Sequence, residues 1–259
     1  MTQEYDQYSP EHQWVWEQLF SRQQNNLLTR GTELHNEGVN HLSKIFNAES
    51  IPHLSKLSDA LLQRTGWQIS IVKGFIPAAD FLELLSCKKF AASTWLRKPE
   101  ELDYLEEPDM FHDVFGHLPV LCNPEYASFV HDVGVLGHRY AHSPACIDLI
   151  ERFYWYSIEF GLIKENNKTK ILGAGIISSF GETNRIFTDD SVEVKPFNLK
   201  EILYLPFDKG ALQPVYYVAE SFGQLYKAVK ELNNILKETC SKEILSRSLA
   251  EKPELGMEI

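Results

Sequence analysis

Apolar residues recur at helical spacing along much of the chain. Near the start, Ser9 and Pro10 supply a helix cap and a first-turn proline, and Trp16, Leu19 and Phe20 follow on one helical face. Asn123-Pro124 repeats this start signal before a longer apolar pattern. Spacing and caps together predict helices at residues 10–22, 52–62, 78–90, 109–116, 124–142, 148–161 and 221–236.

A few shorter segments have the pattern of strands. Residues 67–72 alternate between apolar and polar positions, which is typical of a half-buried strand. Residues 90–96, 169–177 and 214–218 are also predicted to be strands. No repeat and no linker rich in proline, glycine or serine divides the sequence, so the 259 residues are expected to form a single domain, with a charged tail at 237–259.

Charge and composition exclude several classes of function. The chain has 36 acidic and 25 basic residues, and its basic residues form only pairs such as Lys88-Lys89, so binding to nucleic acid or to an anionic membrane is not expected. The polar N-terminus does not resemble a secretory signal, and no apolar run is long enough to span a bilayer. The four cysteines form no CxxC pair. A cytoplasmic protein with reduced thiols is therefore predicted.

Two histidines and a glutamate form the most informative chemical pattern. His112 and His117 lie five residues apart in a short predicted helix, and Glu159 lies on a later aromatic helix. Two imidazoles and one carboxylate are the donor set of non-haem iron(II) sites. Positions i and i+5 are about 140° apart on a regular α-helix, so both rings can reach one metal only where the helix widens or ends. Gly116 makes such a distortion less costly.

Other interpretations of these histidines stay open on spacing alone. Each ring could simply be a hydrogen-bonded helix residue. A zinc protease is disfavoured because the spacing is not HExxH and Asp113 follows His112. His131 and His138 form a rival pair, but they have no obvious third ligand and are interpreted as surface residues.

Four longer segments carry a resemblance to a known family. In chain order they are residues 107–119 (EPDMFHDVFGHLP), 155–162 (WYSIEFGL), 173–182 (GAGIISSFGE) and 213–222 (QPVYYVAESF). Together they closely resemble the catalytic domain of the aromatic amino acid hydroxylases, the family of phenylalanine, tyrosine and tryptophan hydroxylases. The similarity extends over about residues 8–236.

The resemblance implies a fold, two cofactors and their ligands. The fold implied is α+β and mostly helical, with a few short strands. The iron(II) ligands implied are His112, His117 and Glu159. The second cofactor implied is a tetrahydropterin, either tetrahydrobiopterin or a bacterial analogue, which stacks on Phe81 with Asp80 beside the ring. The remaining pterin-binding positions implied are Gly74, Phe75, Ile76 and Asp113.

The resemblance also implies the substrates and their contacts. Arg97 matches the arginine that binds the carboxylate of the amino acid, and Ser178 matches a second contact on that side. The positions implied to line the slot for the aromatic ring are Pro108 and Trp155, and Gly175 is a further substrate-binding position where the backbone can approach closely. Compact bacterial members of the family usually hydroxylate phenylalanine at C4 with O2 and the pterin, so L-phenylalanine is the expected substrate. Tryptophan or tyrosine is the alternative, because Leu105 and residues 207–209 depart from the pattern of the animal phenylalanine hydroxylases.

Further expectations concern organisation and competing functions. The chain begins at the region that matches the catalytic domain, so no N-terminal regulatory domain is expected, and the tail lacks a heptad pattern, so a monomer or weak dimer is expected. A zinc hydrolase with the same three ligands would leave Phe81 and Arg97 without a role. A binding protein without catalysis should lack a metal ligand, and all three are present.

Overall fold

The computed structural model describes residues 2–74, 76–103, 105 and 107–250, with side chains through residue 243. The helices are α1 Pro10–Arg30, α2 Glu33–Leu42, α3 Leu54–Thr65, α4 Ala78–Ser86, α5 Leu118–Leu121, α6 Pro124–Arg139, α7 Pro144–Tyr154, α8 Ala174–Ile177, α9 Phe180–Thr188, α10 Leu199–Ile202 and α11 Phe222–Ala250. The strands are β1 Gln68–Ile71, β2 Lys89–Ala92, β3 Gly161–Glu165, β4 Lys168–Ile171, β5 Glu193–Pro196 and β6 Val215–Ala219. No helix in this part of the chain combines the length and apolar character needed to cross a membrane.

The strands form two small sheets. β1 and β2 are parallel, and α4 connects them, so the loop after β1 and the helix α4 lie together beside the sheet. The second sheet has the order β4-β3-β6-β5, with β3 and β4 antiparallel and the other pairs parallel. The sheets are short, and helices supply most of the packing surface.

Side chains at the helix ends explain where several helices begin. The hydroxyl of Ser9 accepts a hydrogen bond from the backbone N–H of His12 at the start of α1, and the hydroxyl of Ser179 accepts one from Glu182 at the start of α9. At the end of α3, Gly66 has a left-handed conformation with φ of 78°. These are the signals that the sequence contains at Ser9 and Thr65-Gly66.

A cluster of aromatic rings fills the core beneath the predicted metal site. Phe115 stacks on Phe111 with ring centroids 4.7 Å apart and makes an edge contact with Phe20 at 5.0 Å. Trp16 makes an edge contact with Phe111 at 5.6 Å. All four side chains are almost completely buried. Because Phe111 and Phe115 flank His112, this cluster fixes the segment that carries the two histidines.

Glycines allow α6 to lie very close to α4. A Cβ atom at Gly137 would be 2.3 Å from Cβ of Leu82, and one at Gly134 would be 2.5 Å from the backbone N of Ser86. Contacts this short do not occur in folded proteins, so both positions require glycine at this separation of the helices. The position of α4, and of Phe81 on it, therefore depends on these two residues.

Most of the predicted helices and strands are confirmed, and several predicted boundaries are wrong. The helix predicted at 10–22 continues to Arg30, and the strand predicted at 90–96 ends at Ala92. Residues 173–177 were predicted to continue a strand, but β4 ends at Ile171 and Ala174–Ile177 is helical. The predicted helix at 78–90 ends at Ser86, and Phe90 belongs to β2. The last helix does not end at 236 but continues to Ala250, through part of the predicted tail. Residues 251–259 of that tail lie outside the described residues.

Candidate active site

Two π-helical segments carry the predicted metal ligands. One is His112–His117, which runs into α5, and the other is Trp155–Glu159, which follows α7. A π-helix has an i to i+5 hydrogen-bond pattern, so residues five apart lie nearly above one another. His112 and His117 therefore point to the same side, and the helix widening that their spacing requires is confirmed.

The three ligand groups converge on one point. Nε2 of His117 lies 3.4 Å from Nε2 of His112 and 3.2 Å from Oε1 of Glu159, and Nε2 of His112 lies 3.6 Å from Oε2 of Glu159. Ligands about 2.1 Å from one ion and at right angles to each other are about 3.0 Å apart, so these separations fit a shared metal. Among the described residues, this is the group whose ligand atoms all lie within metal-binding distance, and His131 and His138 belong to no such group.

Burial and neighbouring charges set the protonation of the ligands. Burial is the main cause that lowers the pKa of His112 to about 4, so this imidazole is neutral near pH 7. Burial alone would raise the pKa of Glu159, but His117 and His112 outweigh it and lower that pKa to about 2. Neutral imidazoles and an ionised carboxylate are the forms that bind a metal.

A cavity of about 380 Å³ opens beside the three ligands. Twelve of the thirteen predicted site residues line it: His112, His117, Glu159, Gly74, Ile76, Phe81, Asp113, Arg97, Pro108, Trp155, Gly175 and Ser178. Phe75, the thirteenth, lies outside the described residues. Asp80 is exposed on α4 and is not among the residues that line the cavity.

The side of the cavity next to α4 contains Phe81 and Asp113. The ring of Phe81 makes edge contacts with the rings of Phe90 and Tyr154, at centroid distances of 6.0 Å and 5.3 Å. The Phe81 side chain is nevertheless only partly buried. Oδ2 of Asp113 accepts a 2.7 Å hydrogen bond from the backbone N–H of Ser93. Burial raises the pKa of Asp113 to about 7.

A buried ion pair holds Arg97 at another wall. Nε and Nη2 of Arg97 each donate a 2.9 Å hydrogen bond to the carboxylate of Asp109. The same carboxylate accepts bonds from the backbone N–H groups of Arg97 and His112, both at 3.0 Å. Because the pair uses one edge of the planar guanidinium, Nη1 on the other edge is directed away from Asp109. Asp109 thus connects Arg97 to His112, the first predicted metal ligand.

Aromatic rings form the third wall. Trp155 stacks on Phe207 with centroids 4.4 Å apart and an interplanar angle of 17°. The ring of Phe160 also lies 4.5 Å from that of Trp155, at an interplanar angle of 37°. All three residues line the cavity. An aromatic surface of this kind suits a flat apolar guest, since aromatic rings pack favourably face to face with an offset or edge to face.

Sequence reasoning did not single out three residues that organise this site, namely Asp109, Glu182 and Gln213. Each lies within one of the four segments that carry the family resemblance, and this is the signal that was present in the sequence. Their contacts join residues 12 to 58 positions apart, so no local pattern reveals them.

Comparison with known proteins decides which family has this site. A family model described as "Biopterin-dependent aromatic amino acid hydroxylase" matches residues 4–243. The chain belongs to this family. The predictions of the family, of a mostly helical fold and of a biopterin-dependent hydroxylase are thereby confirmed.

Similar members of the aromatic amino acid hydroxylase family come from bacteria. The phenylalanine-4-hydroxylase of Vibrio cholerae is 39% identical over 215 residues, which are 82% of this chain and 72% of that protein. A crystal structure of phenylalanine hydroxylase from Chromobacterium violaceum, with bound iron(III) and 7,8-dihydrobiopterin, is 36% identical with a TM-score of 0.85 and covers 92% of this chain and 86% of that one. The apo structure of the cold-active phenylalanine hydroxylase from Colwellia psychrerythraea is 33% identical with a TM-score of 0.84, over 95% and 94% of the two chains.

Proposed function

We propose that this family member is a phenylalanine 4-hydroxylase, which converts L-phenylalanine to L-tyrosine with O2 and a tetrahydropterin at a non-haem iron(II). The observation that carries the proposal is the convergence of His112, His117 and Glu159 at a cavity that also contains Arg97 and the Trp155 wall. Similar bacterial proteins are named phenylalanine-4-hydroxylases, and one of them holds iron and a dihydropterin in its crystal structure.

The proposed metal site uses the three converging ligands. Two imidazoles and a carboxylate occupy one face of an iron(II) ion and leave positions for oxygen and water. When bound, iron and the pterin together supply the activation of dioxygen that no amino acid side chain provides. The chain's own residues hold the reactants in place and exclude water.

The proposed pterin site lies on the α4 side of the cavity. The exposed face of Phe81 is suited to stacking against the pterin ring, and the backbone at Gly74, Phe75 and Ile76 would supply hydrogen bonds to its edge. Asp113, whose pKa is raised to about 7 by burial, would accept a proton from the pterin or share one with it.

The proposed amino acid site includes the Arg97 wall of the cavity. The Nη1 edge of Arg97 would bind the substrate carboxylate, and Ser178, which also lines the cavity, would make a second contact to it. Pro108, Trp155 and Gly175 would line the slot for the phenyl ring. The slot would hold the ring's C4 edge towards the metal.

The substrate assay separates this proposal from its alternatives. Iron(II)-loaded protein is incubated with tetrahydrobiopterin, O2 and a mixture of phenylalanine, tyrosine and tryptophan, and the products are identified by mass. Tyrosine formed in step with pterin oxidation is the expected result. Formation of hydroxytryptophan or DOPA would support the same chemistry with a different substrate. The absence of any hydroxylated product, from protein in which bound iron has been verified, would contradict the proposal.

A variant tests the metal ligands. Glu159→Gln should lose retained iron and turnover, because a neutral amide is a much weaker ligand than a carboxylate. The matched control is Glu125→Gln on the exposed surface of α6, which should retain both. Full hydroxylase activity of Glu159→Gln would contradict the proposed iron site. Hydrolytic activity of the wild-type protein with zinc and without a pterin would favour a hydrolase.

The proposal extends to the organisation of the protein in the cell. We expect a single catalytic unit that works in the cytoplasm as a monomer or weak dimer. Light scattering across a range of protein concentrations tests the oligomeric state.

A further inference from the structure

Gln213 lies behind the aromatic wall of the cavity and is almost completely buried. Its side-chain Oε1 accepts a 3.0 Å hydrogen bond from the indole N–H of Trp155. Its Nε2 donates to the backbone carbonyls of Asp208 at 2.9 Å and of Ala211 at 2.8 Å. One buried amide therefore joins Trp155 to the loop of residues 203–214.

The three partners of this amide determine its orientation. The indole N–H can only donate, and the two carbonyls can only accept, so Oε1 must face Trp155 and Nε2 must face the loop. A carboxylate has no donor for the carbonyls, and an apolar side chain satisfies none of the three groups. Glutamine supplies one acceptor and two donors at the end of a side chain of the necessary length.

The backbone of Gln213 is fixed to helix α9. Its N–H donates a 3.0 Å hydrogen bond to Oε1 of Glu182, and its carbonyl accepts a 3.0 Å bond from Nη1 of Arg185. The other carboxylate oxygen of Glu182 accepts a hydrogen bond from the hydroxyl of Tyr216 in β6. Because α9 and β6 hold the backbone, the Gln213 side chain extends to Trp155 from a rigid base.

The loop that Gln213 holds carries part of the wall. Phe207 in this loop stacks on Trp155, and Lys209 and Ala211 also line the cavity. At the start of the loop, the hydroxyl of Tyr156 donates to the carbonyl of Pro206 at 2.9 Å. The contacts of Gln213 at Asp208 and Ala211 fix the loop after Phe207. The same amide therefore holds both rings of the stacked pair. It accepts a hydrogen bond from the indole of Trp155 and donates to the loop next to Phe207.

We infer that Gln213 is a positioning residue which sets the width of the slot for the substrate's aromatic ring by holding Trp155 and the 203–214 loop together. The inference rests on the proposed function, because the slot is the proposed site of the amino acid. Gln213 does not line the cavity, so it acts through Trp155 and Phe207.

The test is a graded series at position 213 in the iron-loaded protein. Gln213→Met keeps the length of the side chain but has neither the acceptor nor the donors, and is expected to raise the KM for L-phenylalanine about tenfold, since it leaves the indole N–H and two carbonyls unsatisfied. Gln213→Glu should be protonated in this buried position, where it supplies one acceptor and one donor, and is expected to show a smaller increase in the KM for L-phenylalanine.

The KM for tetrahydrobiopterin and the iron content should stay within twofold of the wild type in both variants. The matched control is Gln18→Met on the exposed face of α1, which should change none of these values.

A double-mutant cycle tests whether Gln213 acts through Trp155. Trp155→Phe removes the indole N–H but keeps an aromatic ring, so the effect of Gln213→Met on the KM for L-phenylalanine should be at least threefold smaller in the Trp155→Phe background. Equal effects in the two backgrounds would overturn the inference. So would an unchanged KM for L-phenylalanine in both single variants, or parallel increases in the KM values for the amino acid and the pterin.

The proposed function is judged separately, on the wild-type protein. If the wild type produces no hydroxylated amino acid, the proposed function fails, and equilibrium dialysis of L-phenylalanine with wild type and Gln213→Met still tests the positioning role through the dissociation constant. A dissociation constant that differs by less than twofold would overturn the inference in that case. If the wild type prefers tryptophan, the KM values of the variants are compared with that of the wild type for tryptophan in the same way.

Discussion

The hydroxyl of Ser178 lies 2.8 Å from Nδ1 of His112 and 2.9 Å from the carbonyl of Ala174. A carbonyl can only accept, so the hydroxyl donates to Ala174 and accepts from the N–H at Nδ1 of His112. This arrangement places the proton of the imidazole on Nδ1 and leaves the lone pair of Nε2 directed towards Glu159 and the metal position. Ser178 therefore orients a proposed metal ligand, in addition to its proposed contact with the substrate.

Ser178→Ala should weaken iron binding by about 10-fold to 100-fold, because the N–H at Nδ1 of His112 loses its partner and the ring its fixed orientation. The measurement is the rate of iron loss to a chelator. Ser179→Ala is the neighbouring control. It removes the cap of α9 at a cost of about 1 kcal/mol and should retain iron. Equal iron loss in the two variants would show that Ser178 has no special role.

The buried pair of Arg97 and Asp109 predicts different outcomes for breaking it and for replacing it. Asp109→Leu alone should destabilise the protein by about 3–5 kcal/mol, because it leaves a buried arginine without its counter-ion. Arg97→Met with Asp109→Leu should recover only part of that loss, since no unpaired charge remains but the backbone N–H groups of Arg97 and His112 still lack their acceptor. Urea unfolding measures both values.

Activity should not recover together with stability in that double variant. It lacks the guanidinium proposed to bind the substrate carboxylate, so its KM for the amino acid should stay at least tenfold above that of the wild type. A double variant with the wild-type KM would remove Arg97 from the substrate site.

The close approach of α6 and α4 predicts the effect of one added methyl group. Gly137→Ala places a Cβ 2.3 Å from Cβ of Leu82, so α4 must move, at a cost of about 1–3 kcal/mol. Phe81 lies next to Leu82 on α4, so the KM for the pterin should rise several-fold while iron content stays constant. Gly223→Ala on α11 is the control, since its Cβ would meet only the Ser221 hydroxyl at 3.5 Å and stability should not fall. Calorimetry and pterin-dependent rates measure the two effects.

Glu182 predicts a particular dependence of stability on pH. Burial is the main cause that raises its pKa from 4.5 to about 7, so between these values the folded protein binds more protons than the unfolded chain does. The free energy of unfolding then falls as pH rises through this window, by at most about 1.4 kcal/mol per pH unit, and the fall ends about one pH unit above the folded-state pKa. Glu182→Gln imitates the protonated form and should reduce this fall. Urea unfolding of both proteins at pH 5, 6 and 7 measures the difference, and parallel profiles would contradict the raised pKa.

The sequence predicts most of the helices because they depend on local signals, whereas the predicted pterin and substrate positions come from the family resemblance. Caps such as Ser9 and Asn123 mark helix starts, and the widened helix follows from the five-residue spacing of His112 and His117. Residues 169–177 show where local signals fail. A short apolar run fits a buried strand or a buried helix equally well, and tertiary packing against the His112–His117 segment selects the helix at Ala174–Ile177.

The polar network behind the site could not be predicted for a different reason. Gln213 forms hydrogen bonds with Trp155, which is 58 residues away in the sequence, and with Glu182, which is 31 residues away. Asp109 and Arg97 are 12 residues apart. Hydrogen bonds of this kind are specified by how distant segments fold together. A single polar residue in the sequence does not indicate which distant group will satisfy it.

The π-helical segment His112–His117 contains one residue more than an α-helix would use over the same length. A π-segment is equivalent to an α-helix with one residue inserted, so deleting one residue between the two histidines would restore regular α-helical hydrogen bonding. The histidines would then be four apart, a spacing that also places two side chains on one face of an α-helix. Leu118 and the buried face after it would keep their register with the aromatic core. The extra residue therefore determines which side chains lie between the two histidines, and its loss would change that arrangement while the helix continues unbroken.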